Sequence, residues 1–284
     1  MELIETVDVL RERLQPVRLS EDVMGLVPTM GALHEGHLRL IKKARQDCRC
    51  VVVSIFVNPH QFGPEEDFQT YPQTLDSDLA HCEELGVDVV FAPSVEQMYP
   101  QEQLAFVEVK KLAEHLCGVY RKDHFKGVAT VVLKLLNIVQ PDRAYFGEKD
   151  AQQLAIVRRL IHDLNVPVQI VPVSIVRESD GLAMSSRNRY LQPEERELAP
   201  VLYRALQIAI EQIESGETVV QSILGKARRI LEEDSLIAVE YLELVDPEQM
   251  QPVSEVTGPV RVCAAIRIGS TRLIDNVLCE TPDP

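Results

Sequence analysis

The stretch VMGLVPTMGALHEGHLRLIKKARQDCRCVVVSIFV, Val23–Val57, decides the fold. Its first apolar run, Val23–Thr29, leads into Met-Gly and predicts a strand followed by a turn. Apolar residues then recur at helical spacing in Glu35–Cys48, and the β-branched run Cys50–Val57 predicts a strand that is covered on both faces. A strand, a helix and a second strand in this order indicate a βαβ unit, with parallel strands and a right-handed crossover.

The alternation of strands and helices continues to Val176 and then stops. Within that part, further strands are predicted at Val87–Ala92, Arg143–Gly147 and Val168–Pro172, and helices at Leu75–Leu85, Val128–Val139 and Ala151–Leu164. Beyond it, two helices are predicted at Pro193–Ser215 and Val219–Glu233, followed by strands at Ala238–Val245, Val260–Ile268 and Leu273–Leu278. We therefore predict an α/β protein, with a Rossmann-like parallel sheet in an N-terminal domain (1–176) and a smaller α+β C-terminal domain (177–284).

The composition narrows the class of protein. The 284 residues carry 29 Lys and Arg against 44 Asp and Glu, a net charge of −15, which argues against nucleic acid and against an anionic membrane surface as partners. Six scattered cysteines form no disulfide pattern, so free buried thiols are expected. No basic leader precedes Leu10, and no apolar run approaches the roughly 20 residues of a membrane span, so we expect a cytoplasmic protein.

The first chemical signal is the turn between the first predicted strand and its helix. His34 and His37 lie three residues apart there, so both project from one side of the helix start, where N–H groups and the helix dipole suit an anion. Gly36 between them lets a ligand approach the backbone. The alternative is two unrelated histidines, but the position at the end of a strand favours a ligand site. A zinc site is disfavoured because His-Glu-x-His is one residue short of the zinc motif.

Three weaker signals also follow strands or fall in loops. Gly147–Asp150 places Lys149 after a predicted strand, although an ordinary surface ion pair has the same pattern. The loop Gly181–Asn188 has hydroxyl groups and an arginine that could hold phosphates, and Gln61 and the Gln152-Gln153 pair offer amides to a polar substrate. The polar loop 63–72 fits a solvated connector as well as a mobile lid.

Taken in order, these segments resemble the pantothenate synthetases, the pantoate–β-alanine ligases of the His-x-Gly-His nucleotidyltransferase superfamily. The resemblance covers essentially the whole chain and is carried by these segments: PTMGALHEGH (28–37), VVVSIFVNPHQF (51–62), HFKGVATVVLKL (124–135), FGEKDAQQL (146–154), DGLAMSSRNRYL (180–191) and RLIDN (272–276). It implies ATP-dependent joining of (R)-pantoate and β-alanine through a pantoyl adenylate, with release of AMP and pyrophosphate, by an enzyme that uses Mg²⁺ and forms a homodimer.

The resemblance also implies roles for individual residues. The catalytic residues are His34, His37 and Lys149, with His37 as proton donor. The ATP-binding residues are Met30, Gly31, Ala32, Leu33, His34, Glu35, Gly36, His37, Gly147, Glu148, Lys149, Asp150, Val176, Met184, Ser185, Ser186 and Arg187. Gln61 and Gln153 bind pantoate, and Gln61 also reaches β-alanine. Asp78 is the candidate magnesium ligand.

Two positions depart from the family pattern, and other functions stay open. Gln73 stands where the family often has Arg, and His60 stands where Met is frequent. A different adenylyl- or cytidylyltransferase and a non-catalytic nucleotide-binding regulator are the main alternatives. A tRNA synthetase is disfavoured by the acidic charge and the lack of a basic RNA-binding appendage.

Overall fold

A computed structural model describes residues 1–280 as two compact units. The first unit comprises residues 1–109, 121–148 and 156–174, and the second comprises 110–120, 149–155 and 175 onward. The long continuous part of the second unit thus begins two residues from the predicted boundary at Val176/Arg177. The short segments 110–120 and 149–155, which the second unit also includes, lie within the predicted N-terminal domain.

The first unit is built on a six-stranded sheet in which every paired strand is parallel, as predicted. Its strands are β1 (Glu2–Ile4), β2 (Met24–Thr29), β3 (Cys50–Ile55), β4 (Val89–Phe91), β5 (Arg143–Gly147) and β6 (Gln169–Val173), in the order β1-β4-β3-β2-β5-β6. Thr29 pairs with Ile55, so β2 and β3 end level with each other. The chain reverses its course across the sheet between β2 and β5, the place where open parallel sheets bind ligands.

Helices cover this sheet, and those that were predicted begin within four residues of their predicted positions. The helices that lie wholly in the first unit are α1 (Val7–Arg18), α2 (Glu35–Asp47), α3 (Leu75–Glu84), α4 (Val95–Met98) and α6 (His124–Val139). Twelve of the sixteen residues of α6 are buried, which confirms the prediction of a buried helix, although α6 begins four residues earlier than expected. β1 and α1 were not predicted, because β1 has only three residues and α1 carries Pro16 in its interior.

The second unit combines helices with a three-stranded antiparallel sheet, as expected for its α+β class. Its helices are α5 (Cys117–Tyr120), α8 (Pro193–Leu198), α9 (Val201–Glu214) and α10 (Val220–Leu231). Its strands are β7 (Ile237–Val245), β8 (Val260–Ile268) and β9 (Thr271–Cys279). A further helix, α7 (Ala151–Asp163), begins in this unit and ends in the first. The prediction of a single helix over Pro193–Ser215 is wrong, because two helices occupy this range. They are divided at Ala199 and Pro200, because Pro200 has no N–H to donate into the preceding turn.

Each unit has an apolar core of its own, and the cysteines contribute to these cores. All six are buried and unpaired, as predicted: Cys48, Cys50, Cys82, Cys117, Cys263 and Cys279. Burial raises the pKa of Cys50 to about 11 and that of Cys82 to about 12, so both remain neutral thiols. Within residues 1–280, no helix is both long enough and apolar enough to cross a bilayer.

Candidate active site

The turn after β2 has a backbone shape that only certain residues adopt easily. Gly31 and Ala32 have φ values of 80° and 50°, both in the left-handed region. A Cβ at Gly31 would lie 3.0 Å from Ile55 and 3.1 Å from the Asp78 carboxylate, so a side chain there would be crowded as well as conformationally strained. Thr29 secures the entry to the turn, because its hydroxyl accepts from Gly31 N at 3.1 Å and donates to Ser54 O at 2.8 Å.

Asp78, on α3, holds this turn from behind. Its carboxylate accepts hydrogen bonds from Ala32 N at 2.9 Å and Leu33 N at 2.8 Å, and from the Thr74 hydroxyl at 3.1 Å. Only 1% of Asp78 is exposed. Both carboxylate oxygens are therefore occupied by the protein, and this geometry does not fit the predicted magnesium ligand. Asp78 instead fixes the backbone of the segment that the sequence predicted to bind ATP.

The two histidines are brought together at the start of α2. His34 is the N-cap residue, and its Nδ1 accepts from Gly36 N at 3.1 Å. The His34 and His37 ring centroids lie 4.1 Å apart with the ring planes tilted by 41°. Both side chains are half-buried beside the N-terminal turn of a thirteen-residue helix. The pair therefore combines two imidazoles with the partial positive charge of the helix N-terminus, a setting suited to an anionic group.

Gln61 lies beside the same turn. It ends the short 3₁₀ turn Pro59–Gln61 that follows β3, and its Nε2 is 3.2 Å from the Met30 sulfur. The turn packs directly on α6, since a Cβ at Gly127 would lie only 2.1 Å from His60 O. The structure thus places Gln61 next to Met30, as expected if both contact one ligand. Asn58, in the same amide-bearing stretch as Gln61, donates to Gln61 Oε1 at 3.1 Å and accepts from Tyr99, which the sequence did not single out.

An ion pair between Glu66 and Arg121 helps to anchor the loop 63–72 within the first unit. The Arg121 guanidinium binds both oxygens of Glu66, at 2.8 and 2.6 Å, and its Nη1 lies 2.9 Å from Nε2 of His124. His124 Nδ1 is 2.7 Å from Gln61 O, which can only accept, so this nitrogen carries the proton. Burial acts to raise the pKa of Glu66, but the hydrogen bonds and charge of Arg121 outweigh it and hold the pKa below its ordinary value.

In the second unit, the loop 177–188 is built around Arg177. The chain reverses direction at Gly181, whose φ is 95°. The backbone of Arg177 then forms an antiparallel β-bridge with Ala183, and Met184 N donates to Val176 O at 2.9 Å. Of the predicted phosphate ligands in this loop, Ser185 and Arg187 are half-buried and Ser186 is buried. Ser186 is also the first residue of a 3₁₀ turn. Ser185 caps this turn by accepting from Arg187 N at 3.3 Å.

Two neighbouring residues of β9 link this loop to Lys149. The Asp275 carboxylate binds Arg177 through both oxygens, at 2.5 and 3.0 Å, while the Asn276 amide donates to Lys149 O at 2.9 Å. Asp275 and Asn276 are 4% and 3% exposed. Burial raises the pKa of Asp275, although Arg177 opposes the rise. These residues belong to the RLIDN segment, which carried the resemblance but had no predicted role.

The paired glutamines on α7 differ in their surroundings. Gln152 is buried, accepts from Cys117 N at 3.0 Å, and donates to Leu112 O and His115 O at 2.8 and 2.7 Å. Its amide is therefore occupied by the second unit itself. Gln153, the predicted substrate ligand, is half-buried.

The predicted residues are divided between the two units. The first unit holds the turn Met30–His37, Gln61, Gly147 and Glu148, and the second holds Lys149, Asp150, Gln153, Val176 and the segment Met184–Arg187. No group of three or more His, Cys, Asp or Glu side chains among residues 1–280 is arranged as a metal site. The Asp78 carboxylate thus has both oxygens engaged by the protein, and it belongs to no cluster of candidate metal ligands among these residues.

Comparison with known proteins gives one consistent result. The family model for pantoate-beta-alanine ligase matches residues 2–278. The pantothenate synthetase of Caldicellulosiruptor bescii is 48% identical over 280 residues, which cover 99% of each chain. The bifunctional pantoate ligase/cytidylate kinase of a Synechococcus species is 52% identical over 291 residues, and the present chain spans 54% of that protein's length.

Solved structures agree with this result. The crystal structure of pantothenate synthetase from Thermus thermophilus is 47% identical, with a TM-score of 0.93 over 98% of this chain and 99% of that one. A pantoate-beta-alanine ligase from Francisella tularensis, complexed with beta-gamma ATP and beta-alanine, is 35% identical, with a TM-score of 0.82 over 98% of this chain and 97% of that one.

Proposed function

The chain belongs to the pantoate–β-alanine ligase family, and we propose that it activates pantoate with ATP before the ligation. As a member of this family, it is an enzyme that joins pantoate to β-alanine with the use of ATP. The reaction needs ATP because a carboxylate and an amine at neutral pH form a salt rather than an amide. The runner-up functions, another nucleotidyltransferase or a non-catalytic regulator, do not fit a family match over residues 2–278.

We propose that the ligation proceeds in two steps. In the first, a carboxylate oxygen of pantoate attacks the α-phosphorus of ATP in line, the bond to the bridging oxygen breaks, and pyrophosphate leaves. In the second, the amine of β-alanine attacks the carbonyl carbon of the pantoyl adenylate, loses a proton, and expels AMP. The protein has to stabilise charge on the phosphates in the first step and align the amine in the second.

The pair His34–His37 is the observation that best supports this proposal. The two rings, 4.1 Å apart at the N-terminus of α2, place hydrogen-bonding groups and a favourable dipole where phosphate oxygens would bind. His37 is proposed to donate a proton to the phosphate oxygens as charge builds up, and His34 to stabilise the same charge. Met30–His37 would line the nucleotide, with Asp78 keeping the backbone of this segment rigid.

The second unit is proposed to supply the remaining positive charge. The Lys149 ammonium would neutralise charge that develops around the α-phosphate, with the neighbouring Gly147, Glu148 and Asp150 close to the nucleotide. Ser185, Ser186 and Arg187 would hold the β- and γ-phosphates, and the Val176 backbone would contact adenine. Asp275 and Asn276 support this assignment, since together they position both Arg177 and Lys149.

The substrates that carry carboxylates are proposed to bind through amides. Gln61 and Gln153 would bind pantoate, and Gln61 would also reach β-alanine, because the NH₂ group of an amide can donate to a carboxylate or hydroxyl oxygen. The Francisella structure, a complex with beta-alanine, supports a site for this substrate in the family. Gln61 is 8% exposed, so its hydrogen bonds would form away from bulk water.

Magnesium and assembly remain proposals that rest on the resemblance. The oxygens of Asp78 are occupied, so we propose no protein ligand for Mg²⁺ and assign it only to the phosphates and water of bound ATP. A homodimer that works in the cytoplasm is proposed on the same basis. Sedimentation of the full chain would reveal a monomer if the dimer proposal is wrong.

The experiment that tests the division of roles is a single-turnover comparison on Lys149→Ala. The variant is expected to slow pyrophosphate release from ATP and pantoate much more than it slows the reaction of β-alanine with preformed pantoyl adenylate. Lys122→Ala, at an exposed position of the first unit, is the matched control. Equal slowing of both steps by Lys149→Ala would contradict a role at the α-phosphate.

A further inference from the structure

A chain of side-chain hydrogen bonds runs from the half-buried Tyr99 through the buried Asn58 to Gln61. The Tyr99 hydroxyl lies 2.8 Å from Asn58 Oδ1, and Asn58 Nδ2 lies 3.1 Å from Gln61 Oε1 and 3.2 Å from Gly127 O. Asn58 is 1% exposed and Gln61 8%. All four residues belong to the first unit. Neither Tyr99 nor Asn58 was assigned a role by the sequence.

The partners of Asn58 determine which way its amide points. Gly127 O can only accept, so Asn58 must direct its NH₂ group toward it and its oxygen toward Tyr99. The two N–H groups of Asn58 are then used by Gly127 O and Gln61 Oε1. Because Gln61 accepts through its oxygen, its own NH₂ group must point the other way, where it lies 3.2 Å from the Met30 sulfur.

Tyr99 is the donor that completes this arrangement. Burial raises its pKa to about 12, so the hydroxyl keeps its proton throughout the neutral range. The ring is held on two sides, by the edge-on His60 ring at 4.5 Å and by the Lys134 ammonium at 4.9 Å. His60, one of the two departures from the family pattern, thus serves as a packing partner of Tyr99. If the hydroxyl were removed, Asn58 Oδ1 would be left buried without this donor.

The NH₂ group of Gln61 that points away from Asn58 has only the Met30 sulfur as its acceptor among residues 1–280. A thioether sulfur is a weak acceptor, whereas a carboxylate or hydroxyl oxygen is a strong one. A ligand oxygen that reaches Gln61 would therefore replace Met30 as its partner. If the amide were turned over, its carbonyl oxygen would face the ligand oxygen and repel a carboxylate.

We propose that Tyr99 is a positioning residue that acts through Asn58 to hold the Gln61 amide as a hydrogen-bond donor toward an oxygen of pantoate. This inference rests on the proposed function, in which Gln61 binds pantoate. Its consequence is selectivity for a ligand that carries an acceptor oxygen at this point. A ligand with an N–H group there would face the NH₂ group of Gln61, which cannot accept from it.

The test is steady-state kinetics of the full chain with Tyr99→Phe, which keeps the ring and removes the hydroxyl. The KM for pantoate is expected to rise about tenfold, the effect of one good hydrogen bond, while the KM for ATP stays within about twofold and kcat falls less than the pantoate KM rises. Tyr120→Phe is the matched control, because it also removes a hydrogen-bonded tyrosine hydroxyl, one that donates to the main-chain carbonyl of Glu240 in the second unit. A pantoate KM within twofold of wild type for Tyr99→Phe would overturn the inference.

The double variant with Gln61→Ala separates this inference from the proposed function. In the Gln61→Ala background, Tyr99→Phe is expected to change the pantoate KM by less than about twofold, because the amide it positions is gone. An additive tenfold effect would show that Tyr99 acts elsewhere and would overturn the inference. If Gln61→Ala alone leaves the pantoate KM unchanged, the proposed role of Gln61 fails, and the inference fails with it.

Asn58→Asp provides a second route if Tyr99→Phe does not fold. The new carboxylate would still accept from Tyr99 but would have no N–H group for Gln61, so the Gln61 amide would turn its NH₂ group inward. The pantoate KM is again expected to rise about tenfold or more, with the ATP KM little changed. A folded Asn58→Asp protein with a normal pantoate KM would overturn the inference.

Discussion

The side-chain amide of Asn276 donates a 2.9 Å hydrogen bond to the main-chain carbonyl of Lys149, a residue 127 positions earlier in the chain. The preceding residue, Asp275, binds Arg177 at the base of the loop 177–188. Two consecutive residues of β9 thus position two segments of the second unit that are proposed to bind ATP. We expect these positions to matter for the adenylation step although neither side chain is proposed to touch the nucleotide.

Asn276→Ala should slow adenylation. The variant removes the donor that orients Lys149, and a misplaced ammonium stabilises the transition state less, so single-turnover pyrophosphate release is expected to fall about tenfold. Asn137→Ala, at an exposed position on α6, is the control and should leave the rate unchanged. The role assigned to Asn276 would be wrong if its variant, shown to be folded, adenylates pantoate at the normal rate.

Asp78→Asn should weaken ATP binding in a way that magnesium does not rescue. The substitution turns one carboxylate oxygen into a donor that faces a backbone N–H of Ala32 or Leu33, which costs about 1–3 kcal/mol and loosens the turn. We expect a KM for ATP raised about tenfold, unchanged when Mg²⁺ is increased, with exposed Asp76→Asn as control. Recovery at high Mg²⁺ would restore the interpretation of Asp78 as a metal ligand.

His37→Ala should reduce turnover without unfolding the protein. Because His37 is proposed to act mainly on the transition state, kcat is expected to fall on the order of 10²-fold while the melting temperature changes little. Steady-state assays and thermal melts of the same preparation check both parts. Turnover close to that of wild type would refute the role of His37.

Glu66→Gln should destabilise the protein at neutral pH but not in acid. The folded pKa of Glu66 lies below its ordinary value of 4.5, so the stability it contributes is complete above about pH 4.5 and is lost as pH falls through the folded pKa. At pH 7 the variant is expected to lose about 1 kcal/mol, a fall in Tm of about 2–4 °C. Melting curves from pH 7 down to pH 3 should show this difference shrinking.

The neighbouring Glu65→Gln is the control, since Glu65 is exposed and carries the same charge. It is expected to have a Tm close to wild type at every pH. A Tm difference for Glu66→Gln that stays constant or grows as the pH is lowered would contradict the stabilising pair Arg121–Glu66.

The main strands of the parallel sheet could be predicted from the sequence because a strand that is buried on both faces has a continuous apolar run. β3 is covered on both faces and lies in the unbroken apolar run Cys50–Val57, and its alternation with helices indicates parallel pairing. Elements that lack a long or uninterrupted hydrophobic pattern are not predicted or are predicted with the wrong bounds. β1 has three residues, α1 contains Pro16, and Pro200 divides a pattern that otherwise predicts one helix.

The proximity of two candidate site residues could be predicted from the sequence where they are near neighbours along the chain. His34 and His37 share one turn of helix, so their proximity follows from helical geometry. Asp78 reaches amides 45 and 46 positions away, and Tyr99 reaches Asn58 across 41. Such contacts depend on how whole elements pack, which local patterns do not encode. For the same reason the sequence does not reveal that the carboxylate of Asp78, the predicted magnesium ligand, is occupied by backbone amides.

Pyrophosphate release from ATP, measured with and without pantoate, tests the central claim most directly. We expect release only when pantoate is present, with a product of the mass of pantoyl adenylate in the absence of β-alanine and conversion to pantothenate and AMP when β-alanine is added. Release at an unchanged rate without pantoate, or no adenylate at the expected mass, would contradict the account.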